Sequence, residues 1–512
     1  MSFEPPTAAH QVVADKWRAF TAIAISFVTM VFSMSMVFVA LSAIADDFGV
    51  TLRAVSWVVI IQSLVISGLM LPLGRVADMI GRRRVHLAGL LLFAFGSLCV
   101  ALAPTFPLLI AARDVMSVGN AMGQAVGTAM VVAVFPPEER GKALGSHTSV
   151  VAIGSAMGPI GAGLILQVLP WQALFLMLIP PLLLAFVVGQ RWLDEAQVSR
   201  TGAVAGTEPT ERPAFDWGGA ALSSLAITVM VMVVSNPLAI AWTSGLMLLG
   251  WAAMVLLFAL FIAWELRQTE PMLQLRFFAK PIFSKAVTSR TLGFIGSTTV
   301  TFLLPIFLIS VRGLREGATG AVLFLTSLGL GLAGNQAGRF TDRLGERPIF
   351  LAGFGIHVAS LLGIMFLTPT TPVALVMVLL FASGLAMGLW NVPNGSVILA
   401  AVPPENLGVV GAFMNLTRNI GMVVGQALAS AIVVGVITTR GFDIPLSAIA
   451  GSAGATAAFL HGSRIAYGVV TGLSALAFAL AVITKPASSV PMPTSPTVAV
   501  DVPPHAAPQR HR

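Results

Sequence analysis

Fourteen separate runs of this sequence are apolar over about 20 residues, the length a helix rising ~1.5 Å per residue needs to cross a ~30 Å bilayer core. They fall at 20–45, 55–75, 85–103, 107–135, 142–168 and 171–188, then 217–234 and 242–264. The last six are 286–311, 321–338, 349–367, 372–393, 408–437 and 465–484. A chain that is 56% hydrophobic and 10% charged, with a mean hydropathy of +0.91, has too little polar surface to cover a soluble globule. The first run is too long for the core of a secretory signal and no small-residue cleavage site follows it, so it is expected to remain as the first span.

The expected fold is an all-α membrane protein with fourteen transmembrane helices: two pseudo-symmetric six-helix bundles and two inserted helices. The expected boundaries are a cytoplasmic N-terminal segment (1–19), a first bundle (20–190), a linker (191–216), the inserted pair (217–264), a second linker (265–285), the second bundle (286–484) and a disordered tail rich in Pro, Ser and Thr (485–512). Most of the 29 Lys and Arg residues gather in alternate loops, which places both termini in the cytoplasm of a cell inner membrane. Arg53, Arg312, Arg315, Arg440 and Arg464 fall on the other side, and Arg113 and Arg418 lie within spans. The net charge of +8 is therefore a topology signal, and no basic module for nucleic acid is present. The single Cys99, inside an apolar run, excludes a disulfide framework and a cysteine metal site.

The two bundles read as copies of one unit. Gly74-Arg75-Val76-Ala77-Asp78-Met79-Ile80-Gly81 recurs as Gly338-Arg339-Phe340-Thr341-Asp342-Arg343-Leu344-Gly345. A second pair, Pro136 to Gly141 and Pro403 to Gly408, recurs at nearly the same offset, and Gly154 and Gly158 return as Gly421 and Gly425. Parallel repeats of this kind build secondary transporters whose substrate site lies between the halves. In the stretch Gly74 to Arg84, glycines allow a tight turn, Asp78 can accept from amides at a helix N-terminus, and Arg82, Arg83 and Arg84 are expected at the anionic inner leaflet.

This pattern, Gly74, Asp78, Gly81, Arg82 and Arg83 with a degraded second copy, resembles the signature between helices 2 and 3 of the major facilitator superfamily. The resemblance implies that Asp78, and more weakly Asp342, latch the cytoplasmic side shut. The arrangement of six, two and six spans resembles the fourteen-helix drug:proton antiporter branch, whose helix 5 signature is matched by Gly154, Gly158, Pro159 and Gly163. That segment implies export. Without the family, Gly154 and Gly158 already form a small-residue face for close helix packing, and Pro159 frees backbone groups in a span. On helix 4 the motif R-x-x-Q-G is matched at Arg113, with Met116 and Ser117 in place of Gln and Gly. Trp171, Phe175 and Pro180 match a further, partly lost, segment.

Ionisable residues within spans are functional candidates. Arg113 and Asp114 lie ~9 and ~10 Å from Pro107, and Arg418 ~15 Å from Gly408. Asp114 is the carboxylate placed deepest, and it is expected to carry the coupling proton. In the resembling branch helix 1 often holds an acid, but Ser33 stands there and Phe38 replaces the usual Asn. His147 and His357 read as packing residues. The expected substrate cavity comprises Ser33, Met34, Phe38, Gln62, Arg113 and Arg418, with Met30, Met34 and Met36 giving helix 1 a soft apolar surface. No nucleophile-base pair, phosphate loop or metal-ligand cluster stands out, so neither enzyme activity nor a cofactor or metal is expected. The expected function is efflux of small amphipathic or hydrophobic compounds by proton antiport, from a monomer in the lipid bilayer. Two alternatives are uncoupled or differently coupled export of a specific metabolite, an anionic one among the candidates, and a sensor that kept the fold but lost transport.

Overall fold

The structure, a computed structural model, describes residues 8–50, 52–55, 57–136, 139–198, 215–236, 238, 240–268, 271–403, 406–442 and 452–483. The expected tail and most of the first linker lie outside the described residues. Hydrocarbon leaves backbone polar groups no water to bond, so a spanning chain satisfies them within each helix. Among the described residues there is accordingly no strand. Fourteen helices are long and apolar enough to cross a membrane: α1 (Lys16–Leu41), α2 (Trp57–Ile80), α3 (Arg82–Ala101), α4 (Phe106–Val134), α5 (Arg140–Ile165), α6 (Gln172–Trp192), α7 (Trp217–Ser235), α8 (Gly245–Glu265), α9 (Pro281–Val311), α10 (Ala318–Leu344), α11 (Glu346–Met365), α12 (Val373–Ala400), α13 (Leu407–Thr439) and α14 (Ala453–Val482).

The turn expected across Gly74 to Arg84 is much shorter in the structure. Helix α2 runs through Ile80 and α3 starts at Arg82, so Gly81 alone reverses the chain, at φ 107°. Gly345 does the same between α10 and α11, at φ 83°. Both angles lie where a Cβ is strongly disfavoured, which explains why glycine occupies both copies. The helices continue past the apolar runs because the charged turns on either side of Gly81 find protein partners. Arg82, expected at the lipid headgroups, is 1% exposed. It reaches Asp78 (3.0 Å) and donates to the Val198 carbonyl (3.2 Å), while Arg83 donates to the Gln190 carbonyl (2.9 Å).

Each half has its own core. Met36, Val58, Phe93, Met116, Trp171 and Phe175 belong to the first, and Leu303, Phe307, Leu361, Leu380, Val433 and Phe459 to the second. Glycines bring α5 onto α1: a Cβ built on Gly154 would stand 2.8 Å from the Val28 carbonyl oxygen, and one on Gly158 2.7 Å from Ser35 Cβ. Packing of this kind replaces the hydrophobic effect, which has little grip between helices already in lipid. The inserted helix α7 lies along the seam between the halves. Its Ala220, Ile227 and Val231 pack with Met70 and Leu71 of α2 and with Ala412 and Leu416 of α13. Ser224 Oγ donates to the Gly68 carbonyl at 2.8 Å. Helix α8 presents Leu248, Leu249, Val255, Leu256 and Leu260 outward, as a lipid-facing surface requires.

Candidate functional site

The two duplicated sequence motifs form one structure made twice, each copy using one motif from each half. Asp78, in the last turn of α2, accepts from the Val409 amide at the start of α13 (3.1 Å). Asp342, in the last turn of α10, accepts from the Gly141 and Lys142 amides at the start of α5 (3.1 and 3.0 Å). Each carboxylate thus meets the unsatisfied amides and positive dipole end of a helix in the opposite half. Glycine is required opposite each acid: a Cβ on Gly141 would lie 2.3 Å from Asp342 Oδ1, and one on Gly408 would lie inside the Asp78 carboxylate. Both joints sit at the end of the molecule carrying the Gly81 and Gly345 turns, called here the turn end.

From the turn end inward the halves stay in contact. Backbone meets backbone where α5 crosses α10: a Cβ on Gly145 would be 2.3 Å from the Gly334 oxygen, and one on Gly338 2.3 Å from the Gly141 oxygen. Ser149 Oγ donates to the Gly331 carbonyl at 2.8 Å. On the other side of the interface, a Cβ on Gly74 would meet Ala412 Cβ at 2.7 Å, and Asn415 donates to the Gln124 carbonyl at 2.8 Å. Beyond that level the same helix faces separate. On α5 the face continues through Pro159, which is exposed, and Gly163, around which nothing lies within 4 Å of a built Cβ. On α13 it continues through Met422 and Gln426, both exposed. The halves thus meet at the turn end, while towards the far end these faces carry exposed residues.

A cavity of about 60 Å³ lies between the halves. Its polar lining is Thr128, His147, Thr148, Arg290, Asn391, Asn415 and Arg418, and its apolar lining includes Phe294, Leu330, Met387 and Met414. Both halves contribute, from α4, α5, α9, α10, α12 and α13. Arg290 donates through Nε to the Met414 carbonyl (3.2 Å) and through Nη1 to Asn391 Oδ1 (2.6 Å), and lies over the Phe294 ring (5.1 Å). Arg418 donates through Nη2 to Gln124 Oε1 at 2.7 Å across the interface. Among the described residues no Asp or Glu lines the cavity.

Of the six residues expected to form the substrate cavity, Arg418 lines it and the others lie elsewhere. Met34 lies 3.6 Å from Gln124 Nε2, one residue removed from Arg418. Ser33 is wholly buried with its hydroxyl unpartnered. Phe38, one turn from Met34 towards the far end, is 60% exposed. Gln62 and Arg113 bond to each other inside the first half, where Arg113 also donates to the Val58 carbonyl (3.2 Å) and covers the Phe175 ring (5.7 Å). Asp114 faces outward on α4, exposed and apart from the cavity. His147, read as a packing residue, meets the Phe27 ring edge to face (4.6 Å between centroids) and also reaches the cavity. Arg290 is the functional candidate that sequence reasoning missed. The apolar run begins at 286, which put Arg290 at the membrane edge; the helix begins at Pro281, which carries it ~13 Å inward. Its neighbours in the sequence, Ser289 and Thr291, gave no warning, although its polar partner Asn391 lies in an otherwise apolar run.

Residues 22–426 match the family model of the Major Facilitator Superfamily. The chain is similar to the riboflavin transporter RibZ of Clostridioides difficile, 28% identical over 417 residues, which cover 81% of this chain and 88% of RibZ. It is similar to multidrug resistance protein Stp of Mycobacterium tuberculosis, 29% identical over 396 residues, which cover 77% of this chain and 71% of Stp. In fold it resembles the crystal structure of the human organic anion transporter MFSD10, with a TM-score of 0.61 at 16% identity over 93% of this chain and 100% of that one.

Proposed function

The chain belongs to the major facilitator superfamily, and from that premise we propose that it is a secondary active exporter of small amphipathic compounds working by alternating access. The observation that carries this reading is the closed turn end beneath a central cavity built by both halves: rocking about that cavity would open the turn end and close the far end. The turn end is taken as cytoplasmic because Lys16, Arg83, Arg84, Lys142, Arg191, Lys280, Arg339 and Arg347 gather there. Both termini then lie inside, in the inner membrane, and a monomer suffices since each half supplies its share of the cavity. Export fits the resistance function named for Stp. A second reading, export of one anionic metabolite, is favoured by the two cavity arginines and by the transport of a specific compound named for RibZ.

Coupling to protons through Asp114 requires that an outward-facing group on α4 sense the state of a cavity it does not line. The test is uptake into inverted vesicles of a panel of cationic and anionic amphipathic dyes under an imposed pH gradient, in wild type and Asp114→Asn. Because an exposed side chain away from the site has small effects, the variant is expected to stay within about twofold of wild type. Loss of gradient-driven uptake in Asp114→Asn would assign the coupling proton to Asp114. No uptake of any dye by folded protein would sink the exporter reading.

A further inference from the structure

We propose that the central cavity is an anion-binding pocket, and that the cargo is an amphipathic organic anion whose carboxylate, sulfonate or phosphate head lies between Arg290 and Arg418. This rests on the exporter reading and deepens it.

The argument begins with charge. Two guanidinium groups line one small space, and the residues around them supply amide, hydroxyl and imidazole groups but no carboxylate. A buried charge is normally paired, since desolvation without a counter-charge is costly. Asp78 and Asp342 are committed to the turn-end joints. Neither arginine is saturated by neutral partners: among the described residues Arg290 Nη2 and Arg418 Nε and Nη1 have no hydrogen bond, and Arg418 Nε is buried. His147 Nε2 is likewise buried without a partner. The site therefore has spare donors and excess positive charge with no carboxylate among its described lining residues to match it, which is the chemistry of an anion receptor.

Size and shape define the rest of the ligand. A cavity of about 60 Å³ admits a carboxylate or sulfonate head and little more. Phe294, Leu330, Met387 and Met414 line it beside the arginines, and the faces above diverge towards the far end. An aromatic or aliphatic body would extend along that apolar wall, with Met adapting to its outline. The charge also supplies a driving force. An anion leaving an inside-negative cell moves with the membrane potential, which at 100 mV favours export on the order of 50-fold per unit charge.

The experiment uses two dyes with the same three-ring body and opposite charge, anionic fluorescein and cationic rhodamine 123. Binding to the full-length protein in nanodiscs is read by fluorescence anisotropy, and flux in proteoliposomes under a potassium-valinomycin potential. Fluorescein is expected to bind at least ~10-fold more tightly than rhodamine 123, and Arg418→Gln and Arg290→Gln each to weaken it ~10- to 100-fold. Arg418→Lys, which keeps the charge without the fork, should recover part of the loss. Fluorescein flux should follow the imposed potential and persist without a pH gradient. Removing an unpaired buried charge should leave Arg418→Gln at least as heat-stable as wild type, so loss of binding cannot be ascribed to unfolding. Preference for rhodamine 123, unchanged fluorescein affinity in both Gln variants, or binding of neither dye would overturn the anion pocket. Rhodamine 123 flux without fluorescein flux would leave the exporter reading intact. Fluorescein binding lost in the Gln variants but without flux in wild type would keep the pocket and overturn export.

Discussion

Placing leucine at Gly145 is expected to abolish net transport, by ~100-fold or more, while leaving a folded protein that still admits ligand from the turn end. A Cβ at this position would come 2.3 Å from the Gly334 carbonyl oxygen. The obstacle is backbone, which cannot swing aside as a side chain can, so the turn end cannot close with leucine there. Each half also has a core of its own away from this crossing, so the folded halves survive the substitution. The check pairs dye flux in proteoliposomes with thermal unfolding: flux should vanish while the melting temperature stays near that of wild type. Normal flux in Gly145→Leu would mean that α5 and α10 do not need to meet at this crossing during the cycle.

Removing both latch carboxylates, Asp78→Asn with Asp342→Asn, is expected to shift the resting population towards an open turn end. A carboxylate receiving amide hydrogen bonds contributes about 1.5–3 kcal/mol. Asp78, whose side chain is 6% exposed, should approach that range, whereas the more exposed Asp342 is screened and contributes less. Together they amount to about 2–3 kcal/mol, an equilibrium shift on the order of 30- to 160-fold. In protein carrying Cys99→Ser, a cysteine introduced at Ala152, which is 2% exposed at the α5–α10 crossing, reports the change. Its reaction with a water-soluble maleimide should accelerate by about the same factor. An unchanged labelling rate would show that the backbone crossings hold the turn end shut without the acids.

The sequence carried the number and order of the spanning helices, since spanning length and apolar runs are local properties, but not all of their ends: α12 runs seven residues past its apolar run and α14 begins twelve residues before its own. Its errors lay where charge enters a span. At Arg75 and Gly338 the apolar signal ended, yet α2 and α10 continue because Asp78 and Asp342 find amide partners far away in the chain. Both repeats of each motif were visible. What the repeats could not show is that Asp78 faces Gly408 and Asp342 faces Gly141, because a cross-half pairing has no local signature. The cavity was legible only in Arg418. Depth along a helix follows from residue count, but the face a residue presents follows from which neighbours pack there. That is why Asp114, next to the buried Arg113, turns outward, and why Gln62 and Arg113 satisfy each other inside one half. Arg290 was hidden by a helix that begins five residues before its apolar run.

The central claim, that transport requires the closed turn end to open, is tested most directly by locking it. Ser149 Oγ and the Gly331 carbonyl oxygen are 2.8 Å apart across the α5–α10 crossing, so Ser149→Cys with Gly331→Cys in a Cys99→Ser background places two thiols at the interface of the halves. Oxidation of this pair should stop dye flux in proteoliposomes and reduction should restore it, with each single cysteine variant unaffected by either treatment. Full flux in a protein shown by mass to be cross-linked would contradict the account.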